Sequence, residues 1–131
     1  MRILIIIVVV PIVLISIGFG FLYKFQEKLI FFPEKLRKEK TFQFNGDFTE
    51  RYFTMSDNEI IHTLHFTVAN PKGLIFYLHG NAGSMPSWGH VADDFTAFQY
   101  DVLIIDYRGY GKSSGSINDE KTLYSDSIEI Y

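Results

Sequence analysis

Hydrophobic and polar positions divide the chain into three regions of different periodicity. Residues 3–23 form one continuous apolar run without a charged side chain. Short segments with strand-like alternation follow between residues 41 and 68. The remaining residues, up to Tyr131, combine two almost wholly apolar runs with a segment of helical spacing. This pattern predicts an α/β domain that follows a single N-terminal apolar helix.

The two apolar runs, residues 74–78 and 102–105, have the composition of strands that are buried on both faces of a parallel sheet. Between them, apolar residues recur at helical spacing, which predicts a helix that packs on the sheet through one stripe. That stripe consists of Trp88, Val91, Ala92, Phe95 and Phe98. The centre of the predicted fold is therefore a strand–helix–strand unit.

An antiparallel hairpin is predicted ahead of this unit. Residues 51–55 and 59–68 alternate like strands, and the Ser-Asp-Asn cluster at residues 56–58 is typical of a turn. The alternation places His62 and His65 on opposite faces of the second strand. The two histidines are therefore not expected to form a metal-binding pair.

Glycine-rich turns follow both strands of the central unit. The first turn is HGNAG, residues 79–83, in which small residues leave backbone N–H groups uncovered above the end of the strand. The second is DYRGYGKSSG, residues 106–115, where Asp106 and Arg108 are expected to pair across the turn. His79 is expected to be a turn residue that is hydrogen-bonded to the backbone.

With these two turns separated by a helix and a strand, the chain resembles the α/β-hydrolase superfamily. Within it, the likeness is to membrane-anchored serine hydrolases of the serine aminopeptidase-like and depalmitoylase-like kind, over roughly residues 26–131. The resemblance implies that the first turn supplies an oxyanion-hole N–H, which falls on Asn81, with Ala82 as the next candidate. It also implies that the residues around these donors shape the pocket, namely His79, Gly80, Gly83, Asp106 and Arg108.

Ser113 lies in the only match to the G-x-S-x-G motif of a nucleophile elbow. An elbow places its serine on a sharp turn that joins a strand directly to a helix, whereas here the strand has already ended near Asp106. The resembled fold also orders its triad as serine, acid and histidine, and no histidine follows His90. A phosphate-binding loop is excluded because Asp106 occupies the position of its first glycine. We therefore expect the nucleophile and triad to lie beyond residue 131.

Chain length supports this expectation, since 131 residues are about half of what a complete sheet of this kind with its helices needs. The resemblance implies that the whole protein hydrolyses a small acyl, ester, thioester or peptide substrate by serine acyl-enzyme chemistry, without a cofactor or metal. Two alternatives stay open. One is a non-catalytic membrane-tethered binding module, and the other is an aspartate-nucleophile hydrolase of the dehalogenase or epoxide hydrolase type. The strand at residues 74–78, left as an open edge, argues against the module.

The N-terminal run is predicted to be a membrane anchor. About 20 apolar residues cross the hydrocarbon core, and residues 3–23 meet that length without a charge. A cleaved signal peptide is disfavoured, because the run is too long and no A-x-A-like site follows it. The predicted organisation is an anchor at residues 1–24, a juxtamembrane segment at 25–40 and the hydrolase domain at 41–131.

The distribution of charged residues predicts on which side of the membrane the domain lies. The segment after the anchor carries a cluster of basic residues, which by the positive-inside rule favours a cytoplasmic domain: Lys24, Lys28, Lys35, Arg37, Lys38 and Lys40. Residues 26–33 are amphipathic and are expected either at the membrane interface or folded back on the domain. The net charge of −3 gives no reason to expect a nucleic-acid partner, and the absence of cysteine excludes disulfides and a cysteine nucleophile.

Overall fold

The computed structural model describes the backbone of residues 2–131 and the side chains of residues 7–131. The chain divides into two compact units, of which the first ends at Phe31 and the second is Phe32–Tyr131. The second unit contains a mixed sheet flanked by helices. The first unit, which precedes it in the chain, is an apolar helix. The predicted α/β class is therefore confirmed.

The first unit is a single helix, α1 (Arg2–Ile30). Its portion from Ile7 to Ile30 is long and apolar enough to cross a membrane, and none of that portion is buried. Pro11 lies inside the helix. The helix extends beyond the apolar run predicted at residues 3–23, while the side chains of the first residues of that run, 3–6, lie outside the described part.

The second unit contains six strands and three α-helices. The strands are β1 (Phe32–Pro33), β2 (Asp47–Thr54), β3 (Ile60–Thr67), β4 (Leu74–Leu78), β5 (Ala82–Gly83) and β6 (Asp101–Asp106). The helices are α2 (Met85–Trp88), α3 (Ala92–Thr96) and α4 (Glu120–Ile130). The main sheet has the order β2-β3-β6-β4, and β1 pairs separately with β5.

The sheet combines the predicted hairpin with the predicted parallel unit. β2 and β3 are antiparallel, β3 and β6 are antiparallel, and β6 and β4 are parallel. The first hairpin strand is longer than predicted, because it begins at Asp47 and pairs with β3 along its whole length. Asn58 occupies the turn with φ +68, a conformation that asparagine tolerates better than most residues.

The segment between β4 and β6 is not the single helix that the spacing predicts. After β5 it consists of α2, a 3₁₀ turn (Gly89–Val91) and α3. Gly89 has weak helix propensity, and the Phe44 ring occupies the space that a side chain at Gly89 would need. Ala92 is buried as expected, but Phe98 is 68% exposed and does not belong to the packed stripe.

The hydrophobic core lies between this broken helical segment and the sheet. Its buried members come from β3, β6, α2 and α3: Leu64, Phe66, Met85, Ala92, Val102 and Ile104. Within the described residues β4 is bonded to β6 alone, so its other edge is open, as expected. This order brings the ends of β4 and β6, and hence both glycine-rich turns, to the same edge of the sheet.

Candidate active site

The first candidate element is the HGNAG loop, residues 79–83, which begins where β4 ends. His79 is buried, whereas Asn81 and Ala82 are exposed. Gly83 has φ +86, a conformation that L side chains rarely adopt, so glycine is required for the chain to leave the loop towards α2. The loop therefore presents its middle residues to solvent at the carboxyl end of a parallel strand, where α/β sheets commonly bind ligands.

Every carbonyl of the HGNAG loop accepts a hydrogen bond from a neighbouring group. The bonds run from Tyr107 Oη to His79 O at 2.7 Å, from His79 Nδ1 to Gly80 O at 2.7 Å, from Phe32 N to Asn81 O at 2.9 Å, from Trp88 Nε1 to Ala82 O at 2.8 Å and from Glu34 N to Gly83 O at 3.0 Å. Tyr110 Oη also donates to the Asn81 carbonyl. The backbone of the loop is thus fixed through its acceptors.

Fixing the acceptors also aims the donors. In a planar trans peptide the N–H points away from the carbonyl of the preceding residue, so a held carbonyl fixes the direction of the next N–H. The bond to Gly80 O therefore orients the Asn81 N–H, and the bonds to Asn81 O orient the Ala82 N–H. Among the residues that the structure describes, the Asn81 N–H donates to no backbone carbonyl. Preorganised donors of this kind are what an oxyanion hole requires.

His79 is enclosed beneath the loop and is bonded to the backbone, as the sequence predicts. Its ring stacks on Trp88 with 5.8 Å between ring centroids, and it also contacts Tyr107 and Tyr110. His79 Nε2 lies 3.5 Å from Asp106 Oδ1, an ion-pair distance, and neither atom has a hydrogen-bond partner within the described part of the chain. The histidine therefore supports the loop from below and does not face solvent.

Asp106 ends β6 and is completely buried. His62 Nδ1 lies 3.1 Å from its Oδ2, and His62 Nε2 lies 3.2 Å from Glu50 Oε2. Burial alone raises the pKa of the Asp106 carboxyl, but the hydrogen bond with His62 and the nearby His79 outweigh burial and lower that pKa. Asp106 is thus a buried anion between two histidines, one of which supports the HGNAG loop.

The predicted pairing of Asp106 with Arg108 is wrong. Arg108 donates to Asp126 from Nε at 2.6 Å and from Nη2 at 2.7 Å, and to Asp57 from Nη1 at 2.5 Å. The chain turns directly after Asp106, so Arg108 faces α4 and the β2–β3 turn while Asp106 stays under the sheet edge. The hydrogen bonds to Asp126 and Asp57 raise the pKa of Arg108 above its usual range.

The second candidate element is the RGYG loop, residues 107–115. Gly109, Gly111 and Gly115 all have positive φ, and a side chain at Gly111 would overlap the Asp106 carboxylate. Ser113 is completely buried; its Oγ donates to Asp106 O at 2.5 Å and accepts from His62 N at 2.8 Å. A buried hydroxyl with both functions committed is not accessible to a substrate, which agrees with the expectation that Ser113 is a turn residue.

Helix α4 has a side-chain cap, and helix α2 has none. Asp119 caps α4 by accepting from Thr122 N at 2.7 Å. Ser84 precedes α2, but its hydroxyl donates to Glu34 Oε2 at 3.0 Å and makes no cap bond. Ser87 lies inside α2.

Sequence reasoning missed the contribution of residues 32–36, here called the strap. The strap pairs with the HGNAG loop through β1 and β5. It is also hydrogen-bonded to Gly111 of the RGYG loop, whose N–H donates to the strap and whose carbonyl accepts from it. The run of Leu, Ile and Phe before Pro33 was the available signal, and folding back on the domain was one of its two expected roles. From Phe32 onwards, folding back is what the structure shows.

Comparison with known proteins gives two sequence similarities. A family model described as serine aminopeptidase, S33, matches residues 69–131. Protein bem46 of Schizosaccharomyces pombe is 33% identical over 104 residues, which cover 72% of this chain and 35% of bem46. The chain thus spans about a third of the length of this curated relative.

Solved structures show the same fold. The thioesterase domain from the curacin biosynthetic pathway superposes with a TM-score of 0.55 at 18% identity, over 65% of this chain and 32% of that domain. An esterase of Pyrococcus furiosus gives a TM-score of 0.54 at 19% identity, over 77% of this chain and 40% of the esterase. At these identities the likeness concerns the fold alone.

Proposed function

Because the chain belongs to the α/β-hydrolase superfamily, we propose that the protein containing it is a hydrolase in which these residues supply the oxyanion half of the active site. The observation that carries the proposal is the HGNAG loop. It exposes Asn81 and Ala82 at the carboxyl end of a parallel strand, and each carbonyl that orients their N–H groups is held by a hydrogen bond.

The proposed reaction is acyl transfer from an ester, thioester or amide to a serine and then to water. When a serine oxygen attacks the carbonyl carbon, the carbonyl oxygen becomes an oxyanion, and the N–H groups of Asn81 and Ala82 stabilise this negative charge. A single donor of this kind is worth about 10²–10³ in rate. Because the donors are backbone groups, the identity of the side chain at residue 81 matters little.

We place the nucleophile, its acid and its base outside these 131 residues. Ser113 is buried with its hydroxyl committed. His62 and His79 are buried beside Asp106, and neither lies next to a serine hydroxyl that is exposed to substrate. A serine without a base to accept its proton is a poor nucleophile.

The test is labelling with a fluorophosphonate, which forms a covalent bond with an activated serine. The 131-residue chain is expected to remain unlabelled, and a longer protein that continues past Tyr131 is expected to label. Labelling of the chain that disappears in Ser113→Ala would overturn the assignment of residues. A longer protein that turns over a haloalkane or epoxide without labelling would replace the serine mechanism with an aspartate nucleophile.

Asn81→Pro tests the donor directly, because proline has no N–H. In the longer protein it is expected to lower the labelling rate by about 10²-fold, whereas the matched variant Asn81→Ala keeps the donor and most of the rate. Circular dichroism checks that both variants are folded. A folded Asn81→Pro protein with the wild-type rate would remove Asn81 from the oxyanion role.

We also propose that α1 anchors the protein in a membrane with the domain on the cytoplasmic side. The support is the exposed apolar helix from Ile7 to Ile30 and the basic residues at and beyond its C-terminal end. Carbonate extraction is expected to leave the full chain in the membrane pellet, and recovery in the soluble fraction would contradict the anchor. Protease protection in sealed vesicles tests the side.

A further inference from the structure

The strap connects the two loops of the candidate site through its backbone. Phe32 N donates to Asn81 O at 2.9 Å, which is the carbonyl whose peptide plane carries the Ala82 N–H. On the other side, Gly111 N donates to Glu34 O at 2.8 Å and Leu36 N donates to Gly111 O at 2.8 Å. The strap therefore holds the HGNAG and RGYG loops at a fixed separation.

Glu34 is the strap residue that forms hydrogen bonds with both loops. Its N–H donates to Gly83 O at 3.0 Å, its carbonyl accepts from Gly111 N at 2.8 Å, and its carboxylate accepts from Ser84 Oγ at 3.0 Å. Ser84 is completely buried. The carboxylate bond is therefore shielded from solvent on the serine side, and hydrogen bonds to a charged acceptor are the stronger ones.

We propose that Glu34 is a positioning residue for the oxyanion donors, an inference that rests on the proposed function. Its side chain fixes the strap to Ser84, which directly follows the HGNAG loop. The strap then holds the Asn81 carbonyl and so aims the Ala82 N–H at the substrate oxygen. Glu34 does not touch the substrate, and it acts by keeping the donors in one orientation.

The lone tryptophan of the chain gives a direct readout of this loop. Trp88 Nε1 donates to Ala82 O at 2.8 Å, and its ring covers Gly80. Its fluorescence therefore reports on the HGNAG loop without interference from another indole. Hydrogen exchange of the strap amides Phe32 and Leu36, which donate to Asn81 O and Gly111 O, gives a second measurement, with the amides of β3 and β6 as an internal reference.

The experiment uses the full chain in detergent micelles with Glu34→Ala, Glu34→Gln and the matched control Glu39→Ala. Glu39 is an exposed glutamate five positions further along, and it makes no side-chain hydrogen bond within the described part of the chain. Glu34→Ala is expected to speed exchange of the Phe32 and Leu36 amides about tenfold and to shift the Trp88 emission, while β3 and β6 stay unchanged. Glu34→Gln keeps an acceptor for Ser84 and is expected to restore most of the protection.

Two outcomes overturn the proposal. One is exchange of the Phe32 and Leu36 amides that is the same in Glu34→Ala and Glu39→Ala. The other is exchange that rises equally in β3 and β6, because this would show general destabilisation rather than local positioning. Ser84→Ala must reproduce the effect of Glu34→Ala, and the double variant must add little to either single change.

Labelling of the longer protein separates this inference from the proposed function. Positioning predicts that Glu34→Ala lowers the fluorophosphonate labelling rate about tenfold, with Glu39→Ala unchanged. If no variant labels, including the wild type, the proposed function fails while the exchange result still decides the role of Glu34 in the loop. Unchanged labelling in Glu34→Ala alongside a loosened loop would refute the positioning of the donors.

Discussion

The HGNAG and RGYG loops leave neighbouring parallel strands at the same edge of the sheet, yet they are stabilised in opposite ways. The RGYG loop is buried over most of its length, from Tyr110 to Ser113, and is packed on the Asp106 carboxylate. The HGNAG loop buries only His79 and holds its exposed part by bonds to carbonyl oxygens. One loop is built into the core, and the other is fixed from behind so that its N–H groups face outwards.

This difference separates two glycine-rich turns that look alike in the sequence. Glycines in the RGYG loop are needed because the loop presses against buried groups, as at Gly111. In the HGNAG loop the two glycines flank the exposed Asn81 and Ala82: Gly80 packs under the Trp88 ring, and Gly83 supplies a positive φ. Substitutions in the RGYG loop should therefore affect stability, and substitutions in the HGNAG loop should affect the proposed chemistry.

The largest effect is expected for Gly111→Ala. Its φ of +49 is unfavourable for alanine, and the new methyl group overlaps the Asp106 carboxylate. We expect a loss of about 3 kcal/mol or more in the free energy of unfolding, measured by urea unfolding in detergent micelles. Gly46→Ala is the matched control, since Gly46 has φ +73 with no atom near the new methyl, and it should lose only about 1 kcal/mol. Equal losses would show that the Asp106 overlap has no role.

Asp126→Asn is expected to follow, with a loss of about 2 kcal/mol. Asp126 is buried and accepts two hydrogen bonds from Arg108, which ties the RGYG loop to α4. Asp57→Asn changes the exposed partner of the same arginine and should have a much smaller effect. If both variants melt at the same temperature by circular dichroism, burial does not distinguish the two ion pairs.

A smaller loss in the free energy of unfolding is expected when the pH is lowered below about 4. The Asp106 carboxyl has a lowered pKa in the folded protein, against about 3.9 when unfolded. Its contribution to stability is therefore complete above about pH 4 and is lost as the pH falls through the folded pKa. Urea midpoints at several pH values should fall steeply below pH 4 in the wild type and less steeply in Asp106→Asn. Parallel slopes in the two proteins would refute this assignment.

His65 is expected to change the stability of the protein in a separate pH range, between about 6.5 and 5. Burial, together with Arg51, lowers the pKa of His65 despite the attraction of Asp101. The unfolded chain then binds a proton more readily than the folded protein, so stability begins to fall as the pH drops below about 6.5. His65→Gln should remove this upper loss and leave the Asp106 loss in place. A His65→Gln protein that still loses stability between pH 6.5 and 5 would assign that loss to another group.

The smallest effect is expected for Asn81→Ala. The Asn81 side chain is exposed and makes no hydrogen bond within the described part of the chain. Its removal should change the free energy of unfolding by no more than about 0.5 kcal/mol in urea titrations. A loss larger than about 1.5 kcal/mol would show that the Asn81 side chain stabilises the HGNAG loop.

The sequence predicted most accurately the two strands that are continuous apolar runs. β4 was predicted with its observed bounds, and β6 to within one residue at each end, because both are continuous apolar runs in the sequence. The expected burial holds for β6 but not for β4, which lies at the edge of the sheet and is exposed at both ends. β2 was predicted too short, since most of its residues are exposed and show no regular alternation of buried and exposed positions. The break in the helix was missed because the apolar spacing continues through Gly89, and the Phe44 ring that packs on Gly89 comes from a distant part of the sequence.

For the candidate site, the sequence indicated the loops but not what holds them. The glycine pattern placed Asn81 and Ala82 at the end of a strand, where the structure also has them. The partners of Arg108 were not predictable, because Asp57 and Asp126 come from a turn and a helix that only the fold brings together. The strap was equally hidden, since β1 contains two residues and one of them is proline.

The strap also has a consequence for the order in which the chain folds during synthesis. Glu34 is separated from Ser84 by 50 residues and Lys35 from Ser113 by 78, so both partners leave the ribosome long after the strap itself. At about 5–20 residues per second, the strap waits several seconds for each of them. Closing such long loops is slow because chain entropy is lost before the new contacts form. We expect the HGNAG loop to acquire its native conformation only after the RGYG loop has been synthesised.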